Sequence, residues 1–299
     1  MLLDVAVVVV TYNSAAHVSE LLDSVPAAMG DLTYSVTVVD NGSTDGTLPL
    51  LDARTDCRVI RSSNVGYAAG VNRGVAESSP ARTYLILNPD AALDPGAVPA
   101  MAAVARRPHV GVVAPRVREA DGTLSPTLRR KPSLARAGGL SFTGLATFAE
   151  RIEDPAAYEH EHAVDWAVGA ILLIDAECYR AVAGLDETYF LYSEETDFSL
   201  RAKDLGWMTV YTPSAGGMHV GGGSGESATT HTMKIVNRIR IYRRRSGTAL
   251  AWVYFVITVL NELRRAVMGH RRSWPTLHAL LRPGRRPVVL GASDHLLPS

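Results

Sequence analysis

The residues of this chain that could do chemistry stand where its apolar runs stop. The stretch TYLILNPDAALDP (83–95) reads as a buried strand, Tyr84 to Leu87, that ends on Asn88-Pro89-Asp90. Asn, Pro and Asp are ordinary turn formers. A carboxylate aimed by a proline at the end of a core strand also suits a metal or substrate site, because open α/β sheets hold ligands outside the carboxyl ends of their strands. Two earlier runs end in the same manner: VAVVVV on Thr11-Tyr12-Asn13, and SVTVV on Asp40 within DNGSTDGT. A third polar segment, NVGYAAGVNRG, carries Gly66, Gly70, Asn72 and Arg73. A fourth is acidic, Glu194-Glu195-Thr196-Asp197. Adjacent like charges raise one carboxyl pKa and favour proton acceptance near neutrality, although three acids in the first turn of a helix also complement its dipole. Asp197 precedes Arg201 by four residues, the spacing of an ion pair along a helix.

The elements that must position these residues alternate. DVAVVVVTY is a continuous apolar, β-branched run, as expected of a strand buried on both faces of a parallel sheet. Ser14 is placed to cap a helix over 15–28, with Val18, Leu21, Leu22 and Val25 at helical spacing. The pattern continues with strand SVTVVD, helix TLPLLDAR, strand CRVIRSS, helix GYAAGVNRGVAES, strand TYLILN, a helix over 96–107 and strand VGVVAPRV. This rhythm predicts a doubly wound sheet with right-handed crossovers. Residues 119–164 are less regular, with a hairpin at Ala120-Asp121-Gly122, and read as a variable loop region over the site. Order returns with a strand and short helix closed by Gly184, a helix entered through the acidic run, and a further strand and loop in MTVYTPSAGGMHV.

Composition sets the class. At 299 residues, 47% hydrophobic and 20% charged, the chain is globular with a sizeable core. Two distant cysteines, Cys57 and Cys178, exclude a disulfide scaffold and suit a reducing compartment. The apolar N-terminal run has no basic leader and reads as a first strand. The net charge of zero hides an asymmetry: residues 233–299 hold 13 Lys/Arg against two acids, which leaves 17 against 28 in residues 1–232. The apolar part of the tail, Ala249 to Leu260, is shorter than the about 20 residues a spanning helix needs. With arginines on both sides it reads as a basic amphipathic element at a membrane surface, or as a helical pair packed on the body. Nucleic acid is not the expected partner, because the arginines are not interleaved with aromatics and no binding motif is present.

In this order and spacing, VVVVTYNS, VVDNGSTDGT, NVGYAAGVNRG and LNPDA resemble glycosyltransferase family 2, and within it the rhamnosyltransferase-like enzymes that build bacterial cell-envelope polysaccharides. The resemblance extends through GLDETYFLYSEETDFSLRAKDLGW and the His219 segment, roughly residues 3–222. It implies an α/β GT-A fold, a Rossmann-like and mostly parallel sheet flanked by helices, with a basic C-terminal helical extension. Residues 1–232 would form the transferase domain, with a nucleotide-binding half (1–118) and an acceptor and catalytic half (119–232), and residues 233–299 the tail. It further implies an inverting, divalent-metal-dependent transfer from a nucleoside-diphosphate sugar to a polysaccharide or polyprenyl-diphosphate-linked acceptor, at the cytoplasmic face of the plasma membrane.

Residue by residue, the resemblance places the nucleotide against Thr11, Tyr12, Asn13 and Asp40. A carboxylate at 40 accepts the imide N–H of uracil or thymine, so the expected donor is dTDP- or UDP-linked, with dTDP-rhamnose foremost and UDP-hexoses or UDP-galactofuranose behind it. Gly66 would allow close approach of backbone to nucleotide, and Asn72 and Arg73 would hold phosphate or sugar, with a structural ion pair as the other reading of Arg73. Asp45 is expected to order its turn. Asn88-Pro89-Asp90 stands where the family carries Asp-X-Asp, so Asn88 replaces one carboxylate. Asp90 and His219 become the ligands for Mn²⁺ or Mg²⁺, hard cations that share oxygen donors with substrate phosphates. Glu195 maps to the general base, where relatives carry aspartate. Glu194, Asp197, Trp166, Gly169 and Ala170 line the acceptor side, a core tryptophan being the other reading of Trp166. A nicotinamide or flavin enzyme would need G-x-G-x-x-G after the first strand, where this chain has TYNS. A sugar nucleotidyltransferase would need a Gly-rich basic first loop, which is absent. Asn88 and Glu195, as departures from the family, keep open a catalytically silent scaffold that binds nucleotide sugars.

Overall fold

The computed structural model describes residues 2–220 and 227–290. The first half alternates as the sequence predicts: β1 (Leu3–Thr11), α1 (Val18–Met29), β2 (Tyr34–Asp40), α2 (Thr47–Asp52), β3 (Arg58–Arg61), α3 (Tyr67–Glu77), β4 (Ala81–Leu87), β5 (Ala91–Leu93), α4 (Ala97–Ala105) and β6 (Val110–Arg118). The second half holds β7 (Leu128–Arg129), α5 (Leu134–Ala137), β8 (His162–Val164), β9 (Trp166–Ala167), β10 (Ile171–Asp175), α6 (Ala176–Ala181), α7 (Glu194–Asp204), β11 (Met208–His219), α8 (Ala228–Val267) and α9 (Ser273–Leu281).

The main sheet runs β3-β2-β1-β4-β10-β6-β11-β5, with β8 beside β11. β3, β2, β1 and β4 are mutually parallel, as are β6 and β11, while β10 is antiparallel to both of its neighbours. Residues 5 to 9 of β1 are fully buried, as a strand covered on both faces requires. α1 and α4 cover one face of the sheet; α3, α6 and α7 cover the other. α3 lies close on β1, because a Cβ on Gly74 would meet Val8 Cγ1 at 2.5 Å.

Register gathers the site. Thr11 pairs with Asp40 and Val9 with Leu87, so the ends of β1, β2 and β4 lie at one edge. Ile171 pairs with Leu87 and His219 with Ala91, which brings Gly169, Ala170 and His219 to that same edge. One expectation needs correction. Ser14 does not cap α1; its carbonyl accepts His17 N–H and Val18 N–H, and its hydroxyl accepts Tyr12 N–H, so a turn precedes the helix. α8 starts at Ala228 and runs through the expected boundary at residue 232.

The tail folds as a pair of helical arms packed on the body, one of the two readings its sequence allows. Among the described residues α8 alone is long and apolar enough, by length and composition, to cross a membrane. It doubles back at Gly247 (φ 74°), however. Tyr242 stacks on Tyr254 with centroids 4.1 Å apart, and His231 Nε2 meets Glu262 Oε2 at 3.1 Å, so its two arms run antiparallel. The first arm is fixed to the body. Asn237 Nδ2 donates to Leu191 O and Tyr192 O, and Arg240 Nη1 to Thr188 O.

Candidate active site

Asp90 and His219 are 129 positions apart and meet across the β5–β11 pair, with His219 Nε2 3.1 Å from Asp90 Oδ1. Asn88 Nδ2 lies 3.4 Å from the same ring nitrogen. Burial would raise the Asp90 pKa, but the hydrogen bond and charge of His219 outweigh it and hold the carboxyl below its usual range. A carboxylate oxygen and an imidazole nitrogen form a donor set for a borderline-hard divalent ion. Two cis ligands of an octahedral ion, each at about 2.1–2.2 Å, stand about 3 Å apart, so the pair already has the spacing of a shared cation. No third His, Cys, Asp or Glu joins them among the described residues.

The acid pair opens α7. The chain reaches it through Tyr192 (φ 67°) and Ser193 (φ 79°), two left-handed non-glycine residues that cost about 1–3 kcal/mol each. Glu194 is buried, and the Oε2 atoms of both Glu194 and Glu195 are enclosed with no hydrogen-bond partner. Burial, then the charge of Glu195, drive the Glu194 carboxyl well above the usual range. Burial raises Glu195 as well, opposed by backbone N–H groups and by the Arg129 guanidinium. The two carboxyls interact strongly enough to titrate as a pair, both held above the usual carboxylate range by burial. Asp197 bonds Arg201 Nε at 2.6 Å, along the helix as its spacing predicts.

Tyr67 joins the two clusters. Its hydroxyl is enclosed without a hydrogen-bond partner, and burial and then the charges of Glu194, Glu195 and Asp90 all raise its pKa. The sequence quotes Tyr67 inside a polar segment but gives no sign of this location. Arg129 is a second unforeseen residue. Its Nη1 donates to Pro126 O and Leu128 O, it lies 5.9 Å over the Trp166 ring, and burial draws its pKa down to about 10.

At the nucleotide end, Asp40 is buried and accepts four hydrogen bonds: Oδ1 from the Thr11 and Ser43 hydroxyls, Oδ2 from the Gly42 and Ser43 N–H groups. Asn13 (φ 52°) is held by Ser43 and Thr44, and Asp45 accepts Thr47 and Ala15 N–H, ordering the turn. The Tyr12 ring is 53% exposed at this edge.

Several expected site residues have partners within the protein. Gly66 faces Phe190: a Cβ there would stand 2.7 Å from Phe190 O, the atom that accepts Tyr67 N–H. Asn72 has no free group, since its amide donates to Leu185 O and Glu187 while its oxygen accepts the Tyr179 hydroxyl and Leu185 N–H. Arg73 pairs with Glu77 on the surface. Trp166 is 6% exposed and donates Nε1–H to Arg130 O, so it is a core tryptophan and not an open platform. Ala170 is fully buried, its carbonyl accepting Asn88 N–H. Gly169 does border the acid pair, at 3.5 Å from its Cβ position to Glu195 Cβ.

Comparison with known proteins gives the family and the fold. The profile of glycosyl transferase family 2 matches residues 6–163. Over 232 residues the chain is 34% identical to the N-acetylglucosaminyl-diphospho-decaprenol L-rhamnosyltransferase of Mycobacterium tuberculosis, covering 71% of this chain and 75% of that protein. Among solved structures, the mannosyltransferase PcManGT of Pyrobaculum calidifontis, in complex with GDP-Man and Mn²⁺, superposes with a TM-score of 0.57 at 16% identity, over 98% of this chain and 86% of that one. TarS 1–349 of S. aureus with UDP-GlcNAc gives a TM-score of 0.55 at 14% identity, over 98% and 84%. These two show a shared fold.

Proposed function

The chain belongs to glycosyltransferase family 2, and from that premise we propose that it moves rhamnose, with inversion, from dTDP-rhamnose to a polyprenyl-diphosphate-linked sugar at the inner face of the plasma membrane. The observation that carries the reading is the enclosed, unpartnered Oε2 of Glu195, beside Gly169 at the strand edge that also holds the Asp90–His219 pair. In this reading the one would be a proton acceptor and the other a cation-binding pair.

In this reading Glu195 Oε2 takes the proton of the acceptor hydroxyl as its oxygen attacks C1 of the donor sugar. The bond from C1 to the diphosphate oxygen breaks, and the nucleoside diphosphate leaves with the electron pair. Asp90 and His219 would hold a divalent ion, Mn²⁺ or Mg²⁺, which neutralises diphosphate charge when bound. The open Tyr12 ring stacks on the base. The Ser43 hydroxyl, turning away from Asp40 Oδ1, gives that oxygen to the thymine imide N–H. Support for the acceptor class comes from the mycobacterial relative, whose name specifies an N-acetylglucosaminyl-diphospho-decaprenol.

The test is release of nucleoside diphosphate and transfer to such an acceptor with Mn²⁺, comparing dTDP-rhamnose with UDP-linked hexoses and galactofuranose. Glu195→Gln is expected to lower kcat by about 10²–10⁴-fold, the worth of a positioned base, with donor affinity retained. Equal loss of donor affinity would make Glu195 a binding residue. No release from any donor would leave a silent scaffold.

A further inference from the structure

The outer arm of α8 is apolar on two opposite sides. Ala251, Tyr254, Phe255, Thr258 and Ala266 pack inward. Trp252, Val253, Val256, Leu260, Leu263 and Val267 are exposed, with Val267 at 73% and Leu260 at 58%. At about 100° per residue these six fall within one arc about 100° wide, directly opposite the buried face. No element of the described structure covers them.

The stripe continues onto the acceptor half. Arg264 Nη2 donates to Gly139 O at 2.8 Å, and its guanidinium lies 5.5 Å over the Phe142 ring. Phe142 is itself 73% exposed, with Leu145 beside it in sequence also exposed. Beyond the arm, Met268 and Trp274 are exposed too.

Charge identifies the occupant. Between residues 228 and 290 there are 13 Lys/Arg and one carboxylate, Glu262. Glu262 is 1% exposed and paired with His231. Arg264, Arg271, Arg272, Arg282 and Arg285 therefore accompany the apolar stripe with no exposed acid on that segment. A second copy packed stripe on stripe, the contact that would cover the apolar face of both, would oppose arginine to arginine, and like charges juxtaposed in an interface cost several kcal/mol. A bilayer rich in anionic headgroups supplies both what the stripe and what the arginines need. Spanning is excluded by the hairpin, since crossing would strip the outer arm from its partner and leave Glu262 in hydrocarbon.

We infer that the outer arm of α8, the start of α9 and the Phe142–Leu145 segment form one non-spanning face that inserts into an anionic lipid surface. This deepens the membrane location proposed above and rests on it for its biological setting alone. The inner arm holds the loop ahead of the acid pair through Asn237, so docking fixes the catalytic edge relative to the headgroups where a lipid-linked acceptor is anchored.

The test is co-sedimentation of the full chain with phosphatidylcholine vesicles, with and without phosphatidylglycerol, in the absence of donor. Binding is expected only with phosphatidylglycerol and is weakened by salt. Leu260→Gln with Val267→Gln is expected to lower it about tenfold or more, and Arg271→Gln with Arg285→Gln likewise. Both pairs are exposed, and unchanged melting of each variant confirms folding. Failure to sediment with anionic vesicles overturns the inference, as does equal binding by wild type and both variants. So does a dimer, seen in sedimentation velocity, that Leu260→Gln with Val267→Gln abolishes while no vesicle binding occurs. Donor hydrolysis in vesicle-free buffer reads the enzymatic proposal separately: sedimentation without hydrolysis would sink that proposal and leave the lipid face standing.

Discussion

Replacing Gly66 by alanine tests how the donor half and the catalytic half are joined. Gly66 has φ 96° and ψ 166°, a conformation essentially confined to glycine, so a side chain adds about 1–3 kcal/mol of strain. Its Cβ would also stand 2.7 Å from Phe190 O, 2.9 Å from Phe190 Cδ2 and 3.0 Å from Phe190 Cα. The nearest obstacle is a backbone carbonyl, which cannot rotate away, and overpacking of this kind costs about 1–3 kcal/mol more. The expected loss of stability is therefore about 2–6 kcal/mol, read as a shift in the urea midpoint. The functional consequence is separable. Phe190 O accepts Tyr67 N–H at 2.7 Å and stands four residues before Glu194, so displacing it moves the acid pair relative to the Tyr67 phenol. A misplacement of about 1 Å costs about 100-fold in rate. Gly74→Ala is the control. It overpacks against Val8 Cγ1 at 2.5 Å on the same helix, without a positive φ and without touching the acid pair. Measured well below both melting points, kcat should fall about 100-fold in Gly66→Ala and stay near wild type in Gly74→Ala. Equal losses in the two variants, or full activity in Gly66→Ala, would refute the idea that this clasp positions the acids.

Two further outcomes follow from the charges around the site. Arg129 lowers the Glu195 pKa that burial has raised, and the base works only when ionised, so activity is lost as pH falls through that raised value. Arg129→Leu removes the positive charge and should move the acidic limb of the kcat/KM profile to higher pH, whereas Arg129→Lys should leave it nearly in place; a limb that stays put or moves down would remove Arg129 from this role. His219→Ala and Asp90→Asn should each weaken Mn²⁺-dependent nucleoside diphosphate binding, followed calorimetrically, by about 10–100-fold, the range seen when metal-site partners are lost. Unchanged Mn²⁺ dependence in both variants would show that the pair does not hold the ion.

The sequence makes the sheet legible because burial on two faces leaves a strong mark: β1, β2, β4 and β6 are rich in apolar, β-branched residues, and β1, β2 and β4 end on polar turn residues. It also gives the edge, since polar residues that end parallel strands must share one side of the sheet. What it cannot give is which face a polar helix residue presents. Asn72 and Arg73 are adjacent in a segment of the right composition, yet Asn72 turns into the gap beside Tyr179 and Leu185, and Arg73 turns out to Glu77. Gly66 was legible as a glycine that something must approach closely, but the approaching group is Phe190, 124 positions away, and only the fold pairs them. The hairpin in α8 is hidden for a similar reason. A single glycine within an apolar, arginine-flanked segment is compatible with a continuous helix, and the turn is decided by distant partners, Tyr242 with Tyr254 and His231 with Glu262.

The acid pair and Tyr67 carry the argument one step past geometry. A buried acceptor left without a partner costs about 1–3 kcal/mol, and more when charged, yet three such atoms are enclosed in one region: Glu194 Oε2, Glu195 Oε2 and Tyr67 Oη. A carboxylate only accepts and a phenol both donates and accepts, so the simplest economy would be a bond between them, and the fold does not make it. An alcohol is the group that serves both at once, donating its proton toward the carboxylate while its oxygen accepts from the phenol. That is the chemistry of a sugar hydroxyl about to become a nucleophile. The strained pair Tyr192 and Ser193, together with the Asn237 amide that holds their loop, keeps the carboxylates from relaxing toward partners of their own. In the proposed reaction, the same orphaned oxygens that weaken the free protein are those that an acceptor hydroxyl would satisfy.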